Sequence, residues 1–140
     1  MIDVALARRL RESGLRWKPA AGDRFVIERG DFDSVDVFTV SDMTVEAHEY
    51  PTGTVLGFNG TTEWALDSVE ADDALWLPRE NQLRDLLGRS FRSLTRSPGG
   101  AGYEVGTGLG PDDPVAIFTA DDPEDAYAAA LLAFIEASLA

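Results

Sequence analysis

Thr54-Val55-Leu56-Gly57-Phe58-Asn59-Gly60-Thr61-Thr62-Glu63-Trp64-Ala65-Leu66 is the stretch on which the fold class turns. β-Branched and aromatic residues stand on both sides of Asn59-Gly60, and Asn-Gly supplies the two positive φ angles of a type I′ hairpin turn. A two-residue turn there sets Phe58 opposite Thr61, Leu56 opposite Glu63 and Val55 opposite Trp64. One face of that hairpin carries Val55, Trp64 and Leu66. The other carries Leu56, Phe58 and Ala65, with Glu63 among them. Both faces are partly apolar, so a helix or a second subunit is expected to cover the second side.

Upstream, strand-type runs continue. Arg24-Phe25-Val26-Ile27-Glu28, Val37-Phe38-Thr39-Val40 and Thr44 to Tyr50 are separated by Gly30–Asp33 and Ser41-Asp42, and Pro51-Thr52-Gly53 breaks the chain before the hairpin. The N-terminus reads as a helix over residues 2–13, with Ile2, Ala5, Leu6 and Leu10 on one stripe and Gly14 as its stop. Downstream, Leu77-Pro78-Arg79-Glu80 opens a second helix with Pro in its first turn. Leu83, Leu86 and Leu87 form its apolar stripe, and Gly88 ends it. Phe91 to Thr95 and Tyr103-Glu104-Val105 make a hairpin around the flexible turn at 97–102, and Val115 to Thr119 is a further strand. Asp122-Pro123-Glu124-Asp125 combines a capping carboxylate, an early Pro and acids at the positive end of the helix dipole. The helix it starts runs to about Leu139, with Tyr127, Ala130, Leu131, Phe134, Ile135 and Ser138 on one stripe. The expected architecture is a single α+β domain over 1–140: an antiparallel meander of hairpins with an N-terminal, a middle and a C-terminal helix.

The chain has 140 residues, 44% of them hydrophobic, and no cysteine. That length supports a core without covalent staples, and the absence of cysteine excludes disulfides, thiolate metal sites and thiol nucleophiles. Twenty-five acids against twelve bases leave a net charge of −13, which disfavours nucleic acid and anionic lipid as partners. The charge is blocked: residues 1–29 carry +3, 30–78 carry −11 with no base, 79–102 carry +3, and 103–140 carry −8 with no base. Basic segments beside acidic ones compensate each other within a fold; alternatively the acidic blocks form one face for a basic partner. No apolar run approaches the ~18 residues of a membrane span, and the charged N-terminus is not a signal peptide. The expected location is the cytoplasm.

Three stretches carry a resemblance when taken together. They are Leu15-Arg16-Trp17-Lys18-Pro19 through Asp23-Arg24-Phe25-Val26, then Val40-Ser41-Asp42-Met43-Thr44-Val45-Glu46, and Gly57 to Val69 continuing to Leu75-Trp76-Leu77-Pro78-Arg79. Over most of its length the chain resembles a group of short, acidic, uncharacterised actinobacterial proteins, some of which carry the label pilus assembly protein, CpaE type. That label implies a MinD/ParA-like ATPase, which needs a glycine-rich loop closed by Lys and Ser or Thr. The one lysine here, Lys18, stands in Trp-Lys-Pro-Ala with no glycine loop before it. The label therefore describes an accessory role or a transferred annotation, and the resemblance does not imply ATP hydrolysis.

Each patch of candidate chemistry has a plain structural reading beside it. Gly106-Thr107-Gly108-Leu109-Gly110 lacks the spacing and following helix of a dinucleotide loop. Asp31, Asp33 and Asp36 lack the ligand order of a calcium loop. Glu46, His48 and Tyr50 alternate along one strand and so share a face, which Glu63 could join from a neighbouring strand. His48 is the sole histidine. A catalytic metal takes three protein ligands, and a Ser nucleophile needs its own elbow, and neither is found. These four are ligand-face candidates. Trp17 and Trp76 are partner-surface candidates, because indoles are enriched where binding energy concentrates, although each can equally plug a core, as is favoured for Trp64. Arg8, Arg9, Arg11, Arg16 and Lys18 lack the interleaved aromatics of a nucleic-acid platform. The expectation is a non-enzymatic binding or accessory protein, adaptor-like or immunity-like, with no catalytic residue, no cofactor, no metal and a basic protein partner. Two apolar hairpin faces are also consistent with a homodimer. The alternative is a small-ligand or metal-binding protein, or a hydrolase, using the Glu46/His48 face.

Overall fold

The structure is a computed structural model that describes residues 1–28, 37–40, 46–50, 53–57, 68–70, 73–108, 110 and 112–139, with 46–50, 53–57 and 68–70 described through their backbone. In chain order the elements are α1 (Val4–Glu12), β1 (Arg24–Ile27), β2 (Val37–Thr39), β3 (Glu46–Tyr50), β4 (Gly53–Gly57), β5 (Ser68–Glu70) and β6 (Ala74–Leu77). They continue with α2 (Glu80–Leu87), a 3-10 turn at Gly88–Ser90, β7 (Phe91–Arg96), β8 (Tyr103–Thr107), β9 (Ala116–Ala120) and α3 (Pro123–Leu139). The class is α+β, with antiparallel strands and helices near the start, middle and end of the chain. The Cα packing divides it into two compact units, one of Met1–Leu15 with Pro78–Ala140, the other Arg16–Leu77.

In the first unit α3 packs against α1, α2, β8 and β9. Its start follows from the sequence. Asp122 Oδ1 accepts the Glu124 N–H at 2.9 Å, and Pro123 takes the first helical position, where a missing N–H costs nothing. The Met1 ammonium pairs with Glu124 at 2.6 Å and Asp122 at 3.1 Å. Its pKa rises above the ordinary value, chiefly through the Glu124 contact, with desolvation opposing and Asp122 assisting. α1 is capped by Asp3, whose side chain accepts the Ala5 N–H at 3.2 Å, and Gly14 at φ 113° lets the chain turn away. Ile2 precedes the helix rather than belonging to it, yet is buried with Ala7 and Leu10.

Two expectations for these helices need correction. α2 begins two residues later than its proline suggests: Glu80 is the first helical residue, Arg79 is the N-cap and Pro78 precedes it. The reason is that Gln82 Oε1 accepts the Arg79 N–H at 2.9 Å, a bond that requires an N–H at the cap and that proline cannot make. α3 does not bury one stripe. Ala126, Tyr127, Ala128, Ala130, Leu131 and Leu132 are all buried, whereas Phe134 is 41% exposed. Neighbours close around the first half of α3 because its alanines let them approach. From Ala133 to Leu139 only Ala133 and Ile135 are half-buried and the others are exposed.

β7, β8 and β9 form an antiparallel sheet in that order. The loop between β7 and β8 closes through Ser97 N–H to the Gly102 carbonyl at 2.9 Å, with Gly99 and Gly100 at φ 89° and 76°, conformations that glycine adopts without penalty. β8 pairs Val105 with Leu94 on one side and Phe118 on the other. Phe91 stacks on Tyr127 of α3 with ring centroids 5.7 Å apart, so this face of the sheet is the one α3 covers.

The second unit holds two antiparallel sheets, β2-β1-β6 and β3-β4-β5. The first has Phe25 opposite both Phe38 and Trp76. Phe25, Ile27, Val40 and Ala74 are its core cluster, with Trp17 and Phe38 packed against it. In the second sheet β3 and β4 pair in register from Tyr50↔Gly53 to Glu46↔Gly57. The Asn-Gly register is overturned. β4 pairs with Ser68–Glu70, setting Leu56 opposite Val69 and Val55 opposite Glu70, not opposite Glu63 and Trp64. The Asn-Gly register would oppose a carboxylate to Leu56, whereas the observed one opposes a β-branched apolar residue. Residues 58–67 lie outside the described residues, and with them the Asn59-Gly60 turn and its Thr61–Leu66 strand.

Candidate functional site

A groove of about 460 Å³ lies in the first unit, between β9 and the second half of α3. Its floor follows from register. Ala116 faces Thr107 and Phe118 faces Val105, so Ala116 and Phe118 share the α3 side of the sheet. Its wall follows from helix periodicity. Ala130, Ala133 and Ala137 recur at spacings of three and four along α3, with Phe134 beside them. Methyl side chains leave a trough where larger ones would fill the space, and the two phenyl rings bound it. The polar lining is sparse: Ser90, Thr107 and, at the mouth, Asp113. The Ser90 hydroxyl is engaged as a donor to the Leu87 carbonyl at 2.7 Å.

On the opposite face of the sheet a Cβ on Gly106 would stand 2.7 Å from Ser93 Oγ, 3.0 Å from Val115 Cγ1 and 3.5 Å from Ile117 Cδ1. The absent side chain lets Val115 and Ile117 lie close over β8, and they remain about half exposed, at 50% and 53%. β9 therefore shows apolar residues on both faces, at an edge of its sheet.

A smaller cleft of about 300 Å³ is lined by Glu80, Asn81, Arg84 and Tyr127. The Arg84 guanidinium lies 4.3 Å above the Phe91 ring, which is itself stacked on Tyr127. Burial pushes the Tyr127 phenol above its ordinary pKa, Glu80 adds to the rise and Arg84 opposes it. The Arg84, Phe91 and Tyr127 side chains thus form one stack at the cleft.

The residues singled out from sequence are dispersed. Glu46, His48 and Tyr50 occupy alternate register positions on β3, opposite Gly57, Val55 and Gly53 of β4. Glu63 lies outside the described residues. Trp17 is half-buried, its ring centroid 5.5 Å from that of Phe25, and its indole N–H donates to Asp23 Oδ2 at 2.9 Å. It is a plug of the second unit's core with its polar atom satisfied. Trp76 is half-buried on β6 opposite Phe25, and its buried indole N–H has no acceptor among the described residues. The structure thus packs the Trp17 indole on Phe25 and sets Trp76 at the register position opposite it. Among the described residues no three His, Cys, Asp or Glu side chains converge as metal ligands, and no helix is long and apolar enough to cross a membrane.

The groove was not among the sequence candidates. Its one signal is the Ala130, Ala133, Ala137 series, which reads as ordinary helix-packing until Phe134 is seen to be 41% exposed beside it. Comparison with protein-family models, with curated proteins and with solved structures finds no match for the chain.

Proposed function

We propose that the chain is a non-enzymatic binding protein, adaptor-like or immunity-like, that takes a basic protein partner in the groove between β9 and α3. The observation that carries this reading is the groove itself: an apolar trough with two phenyl walls and Asp113 at its mouth. It belongs to a segment, 103–140, with eight acids and no base. Apolar floor and acidic surroundings together suit a ligand with an aliphatic anchor and flanking cations. The lining suits binding, since it is mostly apolar and its one serine is engaged with a backbone carbonyl.

The test is calorimetry with a defined probe, the peptide Lys-Lys-Leu-Thr-Val-Thr-Leu-Lys-Lys, and its counterpart with Glu for every Lys. The lysine peptide is expected to bind with a Kd of about 10 μM in low salt, and roughly tenfold more weakly at 300 mM salt, as exposed charges are screened. Ala133→Trp, which fills the trough, is expected to abolish binding while the far-UV spectrum is retained. Equal binding of both peptides, or binding untouched by Ala133→Trp, overturns the reading.

A further inference from the structure

The β7-β8-β9 sheet has two edges, and they are built differently. β7, Phe91–Arg96, carries Arg92 and Arg96 and a register irregularity between Phe91 and Ser93. Charges and bulges are how natural sheets discourage pairing with another chain. β9 reads Ala-Ile-Phe-Thr-Ala: no charge, no proline, and an uninterrupted register with β8 over its five residues. Among the described residues it pairs on one side only. An unguarded strand with Ile117 half exposed is a template for strand addition.

We propose that the partner enters as an extended segment that adds a fourth strand to the outer edge of β9. Its alternate apolar side chains drop into the α3 groove, and its cationic ends meet Asp112 and Asp113 at one end of β9 and Asp121 at the other. This mode rests on the groove reading above and specifies how the site is filled. Period-two alternation decides the fit. A strand laid beside Ala116 and Phe118 sends every second side chain to the α3 side, where the trough lies. β9 itself, Ala116–Ala120, covers about 13 Å at ~3.3 Å per residue, so the central five residues of a nine-residue segment pair with it and the cationic ends overhang toward the acids. The acids are exposed and flank the strand, and the Arg92 guanidinium of β7 stands against Gly108, a residue of the groove's lining, so the cations of the segment pair at Asp112, Asp113 and Asp121 and not at that point. A second copy of the chain is the poorer occupant. Two antiparallel β9 strands would bring Asp112, Asp113 and Asp121 of one −13 molecule toward the same residues of another.

The experiment compares the lysine peptide with the same peptide N-methylated at alternate residues, in both phases of the alternation, and follows amide exchange of the full chain. Backbone pairing predicts that one N-methylated phase binds at least tenfold more weakly while the other is little changed. It also predicts that the β9 amides directed away from β8 slow their exchange at least tenfold when the unmodified peptide is bound. If the unmodified peptide and both N-methylated forms bind alike, the groove reading stands and strand addition is overturned. Protection along β7 in place of β9 overturns it too, as does a dimer by light scattering whose β9 amides are already protected without peptide. If no form of the peptide binds, the groove reading fails first and strand addition with it.

Discussion

Asp23 is a carboxylate at 2% exposure whose Oδ2 receives the Trp17 indole at 2.9 Å and the Ala20 N–H at 3.0 Å. It holds the segment ahead of β1 so that Trp17 meets Phe25. Asp23→Ala strands two donors, each worth ~1–3 kcal/mol when left unsatisfied. It is therefore expected to lower unfolding free energy by about 2–4 kcal/mol in urea, with a change in near-UV circular dichroism as the indole is freed. A loss near zero would show that Trp17 is held by ring packing alone. Asp125 poses the opposite case. Burial raises its pKa above 3.8, against the bond it accepts from the Asp3 N–H at 2.7 Å. A carboxyl with a raised folded-state pKa favours folding most below its unfolded value and surrenders that stability as pH rises through the folded one. Asp125→Asn keeps an oxygen for Asp3 and carries no charge. It is expected to melt at or above the parent at pH 7, with the difference closing below pH ~4. A clear loss at pH 7 would mean the helix-dipole attraction outweighs desolvation.

The β7–β8 hairpin and β9 meet at Gly102, where a Cβ would lie 2.7 Å from the Ala120 carbonyl oxygen. Backbone cannot turn aside as a side chain can, so Gly102→Ala is expected to cost about 1–3 kcal/mol by thermal or urea unfolding. An unchanged midpoint would show that the end of β9 yields freely. At α3, Asp122→Ala removes the side-chain acceptor for Glu124 N–H and one partner of the Met1 ammonium. An N-cap of this kind is worth ~1 kcal/mol, and circular dichroism should show the melting temperature fall accordingly. Elements with a strong local signature were legible in advance: the Asp122-Pro123 helix start, the Gly14 stop and the Ser97–Gly102 turn each depend on contacts within a few residues. The partner of β4 was not, because Asn59-Gly60 states only a local turn preference. Register is decided by which residues end up opposite each other, and Val69 rather than Glu63 faces Leu56. For the same reason the α3 stripe read too regularly, since burial depends on which neighbours reach each turn.

A chain of net charge −13 carries self-repulsion into its folded state. Raising NaCl from 10 to 300 mM is expected to increase its melting temperature by about 4 °C, the equivalent of ~1 kcal/mol in a protein this size. A falling midpoint would indicate that attractive pairs between the +3 and acidic blocks outweigh repulsion. The same charge, with the unguarded β9 edge, sets the kind of partner proposed above.

Composition and short-range chemistry were enough to establish an acidic α+β protein of antiparallel strands with three helices, because periodicity, caps and turns act over a few residues. Which strand pairs with which, how β6 comes to lie beside β1, and the trough between β9 and α3 were settled only by tertiary packing. A groove is a space bounded by residues far apart in the chain, here Phe118 and Phe134 across a helix start, and no local pattern encodes a space.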